Sequence, residues 1–228
     1  ADDVIDLLIA RAAPSLSHVH LVGHSMGGMI AWEIARRMTH IRVASIAILA
    51  HALFASCGLA LRPSGICGML SVLTACDAQS LISASLALNY PAAWLDLPAH
   101  DGGGGSNREA VIRFLVANLR GRSAVQPATW VKQVMAYLAY RAPPPERSTT
   151  PPALVIGGDQ DALFRIKDLE RTASRLGGKL VRVMGGGHNV FVQCADEVNE
   201  ALASHWAGQS GKQLPPSPAS CAEADSLL

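Results

Sequence analysis

The sequence predicts an α/β protein: a parallel sheet of about four strands, with an apolar helical insertion between the second and third. Three observations lead there. Short Val-, Ile- and Leu-rich runs alternate with helical patterns near both ends of the chain, and β-α-β alternation implies parallel pairing. Residues 51–150 carry apolar helical segments with few strand signals. Three of the strand-like runs lead into glycine-rich loops bearing Ser25, Asp161 and His188, so their polar groups should gather at one edge of the sheet.

In chain order, Asp2 to Ala13 (DDVIDLLIARAA) reads as an amphipathic helix, with acidic residues in its first turn and Pro14 beyond its end. A short buried strand follows (Val19, Leu21, Val22), then Gly23-His24-Ser25-Met26-Gly27, then a helix from near Met26. Met26, Met29, Ile30, Ile34 and Met38 share one face of that helix at helical spacing. Ile41 to Ala50 is the second strand, and an apolar helix is expected after it. Val43 to Leu61 is nineteen residues long without a formal charge, long enough to be weighed as a membrane span. Its Ala, Ser and Gly content and His51 favour a buried strand and helix instead.

Leu70–Tyr90, Asn107–Leu119 and Pro127–Tyr140 are the helical segments of the insertion. His100 to Ser106 (HDGGGGS) is a flexible link, either a natural insertion or an engineered linker, and Ala142 to Pro152 is a proline-rich break. Then the alternation resumes: strand Ala153–Ile156, helix Ile166–Leu176 ended by Gly177-Gly178, strand Leu180–Met184 and helix Cys194–Trp206. The expected division is core at 1–50, helical lid at 51–150, core at 151–207 and a disordered Pro/Ser/Gly/Ala tail at 208–228.

Half of the 228 residues are apolar and 16% are charged, so a large core is available and a disordered chain is excluded. A net charge of +1 argues against nucleic acid or an acidic membrane as the main partner. The five cysteines (Cys57, Cys67, Cys76, Cys194, Cys221) are odd in number and lack CxxC spacing, which points to free thiols in a reducing compartment. No signal peptide is visible, so an intracellular location, cytoplasmic or organellar, is expected.

Gly23 to Gly27 is a G-x-S-x-G pattern between a strand and a helix, the setting of a nucleophile elbow. A serine hydroxyl is a weak nucleophile that needs exposure, a base and a place for the oxyanion. A tight strand-to-helix turn exposes Ser25, leaves no room for side chains at Gly23 and Gly27, and aims the Met26 N–H at developing negative charge. Two later loops offer partners: Gly157-Gly158-Asp159-Gln160-Asp161 and Gly185-Gly186-Gly187-His188. The order Ser…Asp…His is the one expected of α/β-hydrolases.

On GHSMGG, GGDQDAL and GGGHNVF the chain resembles the α/β-hydrolase fold superfamily, from about residue 2 to 207. The Tyr90–Leu95 and Gln133–Tyr140 segments are similar to a branch of plant and algal hydrolases. The resemblance implies Ser25 as nucleophile, His188 as general base and then acid, and Asp161 as the carboxylate that orients it. Asp161 lies three residues after Gly158, the family's usual spacing; Asp159 is the alternative, and either can instead be a turn residue. His24 and Trp94 are candidates for the substrate pocket, with core packing the default for Trp94, Trp130 and Tyr137. His18 and His20 alternate on one strand face without a carboxylate or Cys partner, and His51, just after the second strand, could border the pocket but reads first as capped or buried. No metal and no cofactor is expected.

The full fold of that family has four strands before the elbow strand, and one of their loops supplies a second oxyanion donor. Here Ser25 comes almost at once, so the expected fold is the family's C-terminal half, with the elbow strand at a sheet edge. A fragment of a longer protein, an incomplete gene model or a degenerate relative without activity are the alternatives; the intact Ser–Asp–His order favours the first two. The functional expectation is a serine hydrolase cleaving a carboxylic ester or related acyl bond of an apolar small molecule or lipid, with the insertion as lid. A non-enzymatic binding protein and an acyltransferase are the alternatives.

Overall fold

The computed structural model describes residues 1–11, 18–54, 61–99, 103–119, 127–146 and 150–210. Strands β1 (His18–His24), β2 (Arg42–Leu49), β3 (Ala153–Gly158) and β4 (Lys179–Val183) form one parallel sheet in the order β1-β2-β3-β4. Helices α1 (Asp2–Arg11) and α2 (Met26–Arg37) flank the first strand in sequence. Between β2 and β3 come α3 (Pro63–Leu73), α4 (Ala78–Asn89), α5 (Ala92–Leu95), α6 (Asn107–Leu119) and α7 (Pro127–Ala139). After β3 follow α8 (Ile166–Leu176), then, beyond β4, α9 (Val190–Gln193) and α10 (Ala195–Ser210).

The strand sequences explain the two layers of helices. Successive side chains of a strand point to opposite faces. Ile46 and Ile48 of β2 join Val155 of β3 on one face, where Met29 and Trp32 of α2 and Leu169, Ala173 and Leu176 of α8 cover them. Ala47, Leu49, Leu154 and Ile156 point the other way, onto Val198 and Leu202 of α10. Both faces of β2 are therefore dry, which is why its sequence is a continuous apolar run rather than an alternating one. Residues 44–54 of the uncharged stretch are buried in this way within the core. No helix among the described residues is long and apolar enough to cross a membrane.

β1 differs from the expectation of a buried strand. It lies at the edge of the sheet, and only Gly23 of its residues is buried. Val22 sits on the face shared with Ala47, outside the core cluster under α10, and is 46% exposed. Helix α2 also buries more than the expected stripe. Trp32, at 1% exposure, is its most buried large side chain, and its Nε1–H donates to the carbonyl of Pro143 at 3.3 Å. The proline-rich segment is thereby fixed against α2. An ion pair between Arg37 and Asp2 ties α1 to α2.

Within the insertion, the expected single helix at 70–90 is two. Asp77 caps α4, accepting from the Ser80 N–H at 2.7 Å while the Ser80 hydroxyl meets the Asp77 N–H, a reciprocal capping box that restarts the backbone. Residues 51–54 are buried turn rather than helix, and 55–60 lie outside the described residues. The described part of the glycine link is pinned: the Ala99 N–H donates to Gly105 O and the Asn107 N–H to Leu97 O, each at 2.9 Å. Gly104 and Gly105 have positive φ, which that turn requires. α10 extends to Ser210, past the expected end of the core, and 211–228 lie outside the described residues.

Candidate active site

Parallel strands present all their carboxyl ends at one side, and there the chain's polar groups converge. Ser25 follows β1 directly, with φ 52° and ψ −124°, a left-handed conformation that a non-glycine residue adopts at a cost. Its N–H is held by Leu49 O at 2.9 Å, fixing the turn to the end of β2. Of the neighbouring glycines, Gly23 is required: a Cβ there would lie 2.7 Å from Gly28 N and closer still to the Gly27 carbonyl. Gly27, expected to be equally crowded, has open space around it. The crowded second glycine is Gly28, where a Cβ would meet Ile48 at 2.9 Å and His51 at 3.3 Å as α2 passes over β2.

β1 and β4 stand at opposite edges of the sheet, three strand spacings or about 14 Å apart. No serine–imidazole bond spans that gap, so the chain after β4 must cross back over the sheet. Glycines allow it. The loop after β4 rests backbone to backbone on the end of β3, a Cβ at Gly158 coming within 2.8 Å of the Gly186 Cα. His188 then reaches Ser25: its Nε2 lies 3.0 Å from Ser25 Oγ, and its Nδ1 lies 3.0 Å from Asp161 Oδ2. The other oxygen, Asp161 Oδ1, accepts from the N–H groups of Leu163 at 2.7 Å and Phe164 at 3.2 Å. Asp161 and His188 are buried.

Asp159, the alternative carboxylate, faces elsewhere. Its Oδ1 accepts from the Gly185 N–H at 2.7 Å and its Oδ2 pairs with Arg182 at 3.2 Å, so it anchors the turn after β4. Beside the row, His24 Nε2 donates to the His188 carbonyl at 3.0 Å, and burial with the nearby His188 ring holds its pKa down at about 4. His51 is 2% exposed, its Nδ1 has no partner, and burial lowers its pKa to about 3. Both imidazoles are neutral near pH 7, so the row contains no second positive charge.

A cavity of about 190 Å³ opens at Ser25, lined by Met26, Leu61, Met69 of α3, Gln133, Val134 and Tyr137 of α7, and Leu163 and Phe164. Apart from Ser25 and Gln133, its wall is apolar or aromatic. Burial raises the Tyr137 pKa to about 12, so its hydroxyl is neutral. Trp94 is elsewhere: it stacks on Tyr90 at 5.1 Å and lines a separate cavity of about 580 Å³ with Asn107, Phe114 and Gln193. His24 lines neither. His20 bonds Ser45 Oγ at 2.7 Å through Nδ1, far from a ligand role. No cluster of three or more His, Cys, Asp or Glu residues suited to a metal occurs among the described residues. Cys67, Cys76 and Cys194 are free thiols.

The sequence reading missed the residues that support Asp161 and shape the cavity. Leu163 and Phe164 were legible in principle, because an Asp followed by a loop commonly accepts N–H groups two and three residues on. Arg62, which donates to Asp161 O at 2.7 Å, carries no local signal, being 99 positions away.

The sequence profile of the alpha/beta hydrolase family matches residues 1–201. The chain belongs to that family. Solved structures show the same fold in this alpha/beta hydrolase. A bromoperoxidase from Bacillus anthracis is 22% identical, with a TM-score of 0.63 over 90% of this chain and 71% of that one. A thermophilic esterase from Thermogutta terrifontis is 16% identical, with a TM-score of 0.63 over 91% and 70% respectively. The enol-lactonase from Burkholderia xenovorans LB400 is 17% identical, with a TM-score of 0.62 over 90% and 70%. A search of curated proteins finds no match.

Proposed function

We propose that this chain is a serine hydrolase that cleaves a carboxylic ester or related acyl bond through an acyl-enzyme on Ser25. The observation that carries the reading is the Ser25–His188–Asp161 row, with both links at 3.0 Å, at the mouth of an apolar cavity. In the first step Ser25 Oγ attacks the acyl carbon and its proton passes to His188 Nε2. Asp161 accepts from His188 Nδ1–H, which leaves Nε2 as the unprotonated acceptor and stabilises the imidazolium once formed. The N–H of Met26 opens α2 and has no preceding helical turn to bond, so it is the oxyanion donor on this chain. Collapse of the tetrahedral intermediate breaks the bond to the leaving alkoxide, which takes the proton from Nε2. Water then attacks the acyl-enzyme, giving its proton to Nε2, and Ser25 recovers that proton as the acid departs.

The cavity argues for the substrate class. Its apolar wall, which holds no lysine or arginine among the described residues, favours a small neutral acyl group over a charged one. Met69 of α3 and Gln133, Val134 and Tyr137 of α7 line the cavity, which supports reading the insertion as a lid. A fluorophosphonate probe should label Ser25 in the folded protein, and Ser25→Ala should abolish both labelling and turnover of a short-chain nitrophenyl ester. A folded protein that takes no label would sink this reading.

One observation favours a second reading, a binding protein on a hydrolase scaffold. β1 is a sheet edge with Val22 exposed, a surface another chain can pair with. Light scattering of the purified chain decides it: a complex of defined mass without esterase activity supports this second reading.

A further inference from the structure

His188 follows three consecutive glycines, Gly185, Gly186 and Gly187. Such a segment has more backbone freedom to lose than any other triplet, so a histidine at its end is placed only if other groups hold the loop. The neighbouring bonds show what does. The Gly186 carbonyl accepts from Gln160 N–H at 2.9 Å, and the Gly185 N–H is taken by Asp159. The Gly186 N–H bonds Val183 O at 3.3 Å. The Gly185 carbonyl and the Gly187 N–H lie on either side of the turn's apex.

Both are taken by one side chain. Gln193 Oε1 accepts from the Gly187 N–H at 2.8 Å, and Gln193 Nε2 donates to the Gly185 carbonyl at 2.7 Å. The two backbone partners have opposite roles, so the amide fits in one orientation only; turned over, it would set donor against donor. The single turn of α9 serves this closure. Gln193 N–H bonds back to Asn189 O at 3.1 Å, which returns the side chain to the loop that precedes it. Gln193 is only partly buried.

The geometry points to Gln193 as a positioning residue for the reaction: its amide clasps the Gly185–Gly187 turn and thereby sets His188 between Ser25 and Asp161. This rests on the hydrolase reading above. A bridging amide holds the ring where both 3.0 Å bonds are made together, and without it the glycines let the ring drift. A displacement of about 1 Å at a reacting group costs about 10²-fold in rate.

Two variants test it. Gln193→Met keeps length and apolar volume and loses both bonds. Gln193→Glu keeps the acceptor for Gly187 N–H and loses the donor to Gly185 O. For Gln193→Met, kcat on the ester should fall by about 10²-fold with KM within about twofold, and Gln193→Glu should recover part of that loss. The downfield proton resonance of the His188–Asp161 hydrogen bond, present in the parent, should weaken or vanish in Gln193→Met. A folded Gln193→Met with parental kcat, or with an unchanged downfield resonance, overturns the proposal. Should Gln193→Met not fold, Gln193→Glu alone decides by the same two measurements. The resonance needs no turnover, so a parent that fails to label at Ser25 would defeat the hydrolase reading and still leave the clasp to be judged.

Discussion

Asp161 shows how much one carboxylate does when each oxygen has a separate task. Oδ1 is occupied by two backbone N–H groups, so the side chain cannot rotate, and Oδ2 is presented to His188 alone. Asp161→Asn would keep the oxygen facing those N–H groups and turn an NH2 toward the ring. His188 would then carry its proton on Nε2, the wrong tautomer for accepting one from Ser25. We predict a fall in kcat of about 10⁴-fold with little change in KM, checked by steady-state ester hydrolysis, while the melting temperature stays near the parent's. The three residues of the row were legible because strand-end loops with Ser, Asp and His in that order constrain one another. Gln193, Arg62 and His51 were not, because their roles depend on contacts that spacing does not encode. The sequence reads His51 as capped or buried; only packing shows that it is buried with its Nδ1 unpartnered.

At the scale of elements, the junction of β1 and α2 separates two glycines that look alike in sequence. Gly23→Ala places a methyl group into the backbone of Gly27 and Gly28, and should destabilise the fold by several kcal/mol, on the order of a large overpacking cost. Gly27→Ala meets open space within a helix, where alanine is favoured by about 1 kcal/mol. Urea midpoints of the two variants should therefore move in opposite directions. Helix positions were largely readable: Ile166–Leu176 ends at Gly177, as its glycine pair says it should, and Asn107–Leu119 lies where the apolar spacing puts it. The break at Asp77 was carried by a capping box hidden inside an apolar run. β1 lies at the sheet edge, as the early position of Ser25 leads one to expect, and its exposure follows from that place rather than from its apolar residues.

For the whole molecule, the two neutral histidines beside the row make acid a global stress. His24 and His51 have pKa values near 4 and near 3 in the folded protein, against about 6.5 when unfolded. Between those values the unfolded chain binds more protons than the folded one, so stability rises with pH across the window and is lost as pH falls from about 6.5 toward 4. Thermal unfolding followed from pH 8 to pH 4 should show that decline. His51→Phe, which removes the ring nitrogen that lacks a partner, should flatten the curve in its lower part; a curve identical to the parent's would count against His51 as its source.

The order of strands has a consequence for how the site comes into being. Ser25 leaves the first strand and His188 follows the last, with 163 positions between them and the entire insertion enclosed. No local stretch of chain can rehearse that meeting, and closing so long a loop carries its entropy cost before any bond is returned. In the folded protein the hydroxyl and the imidazole meet across a sheet whose four strands separate them. The Ser25–His188 contact thus joins the two edges of the sheet, and any piece of the chain that omits either end of that span lacks it.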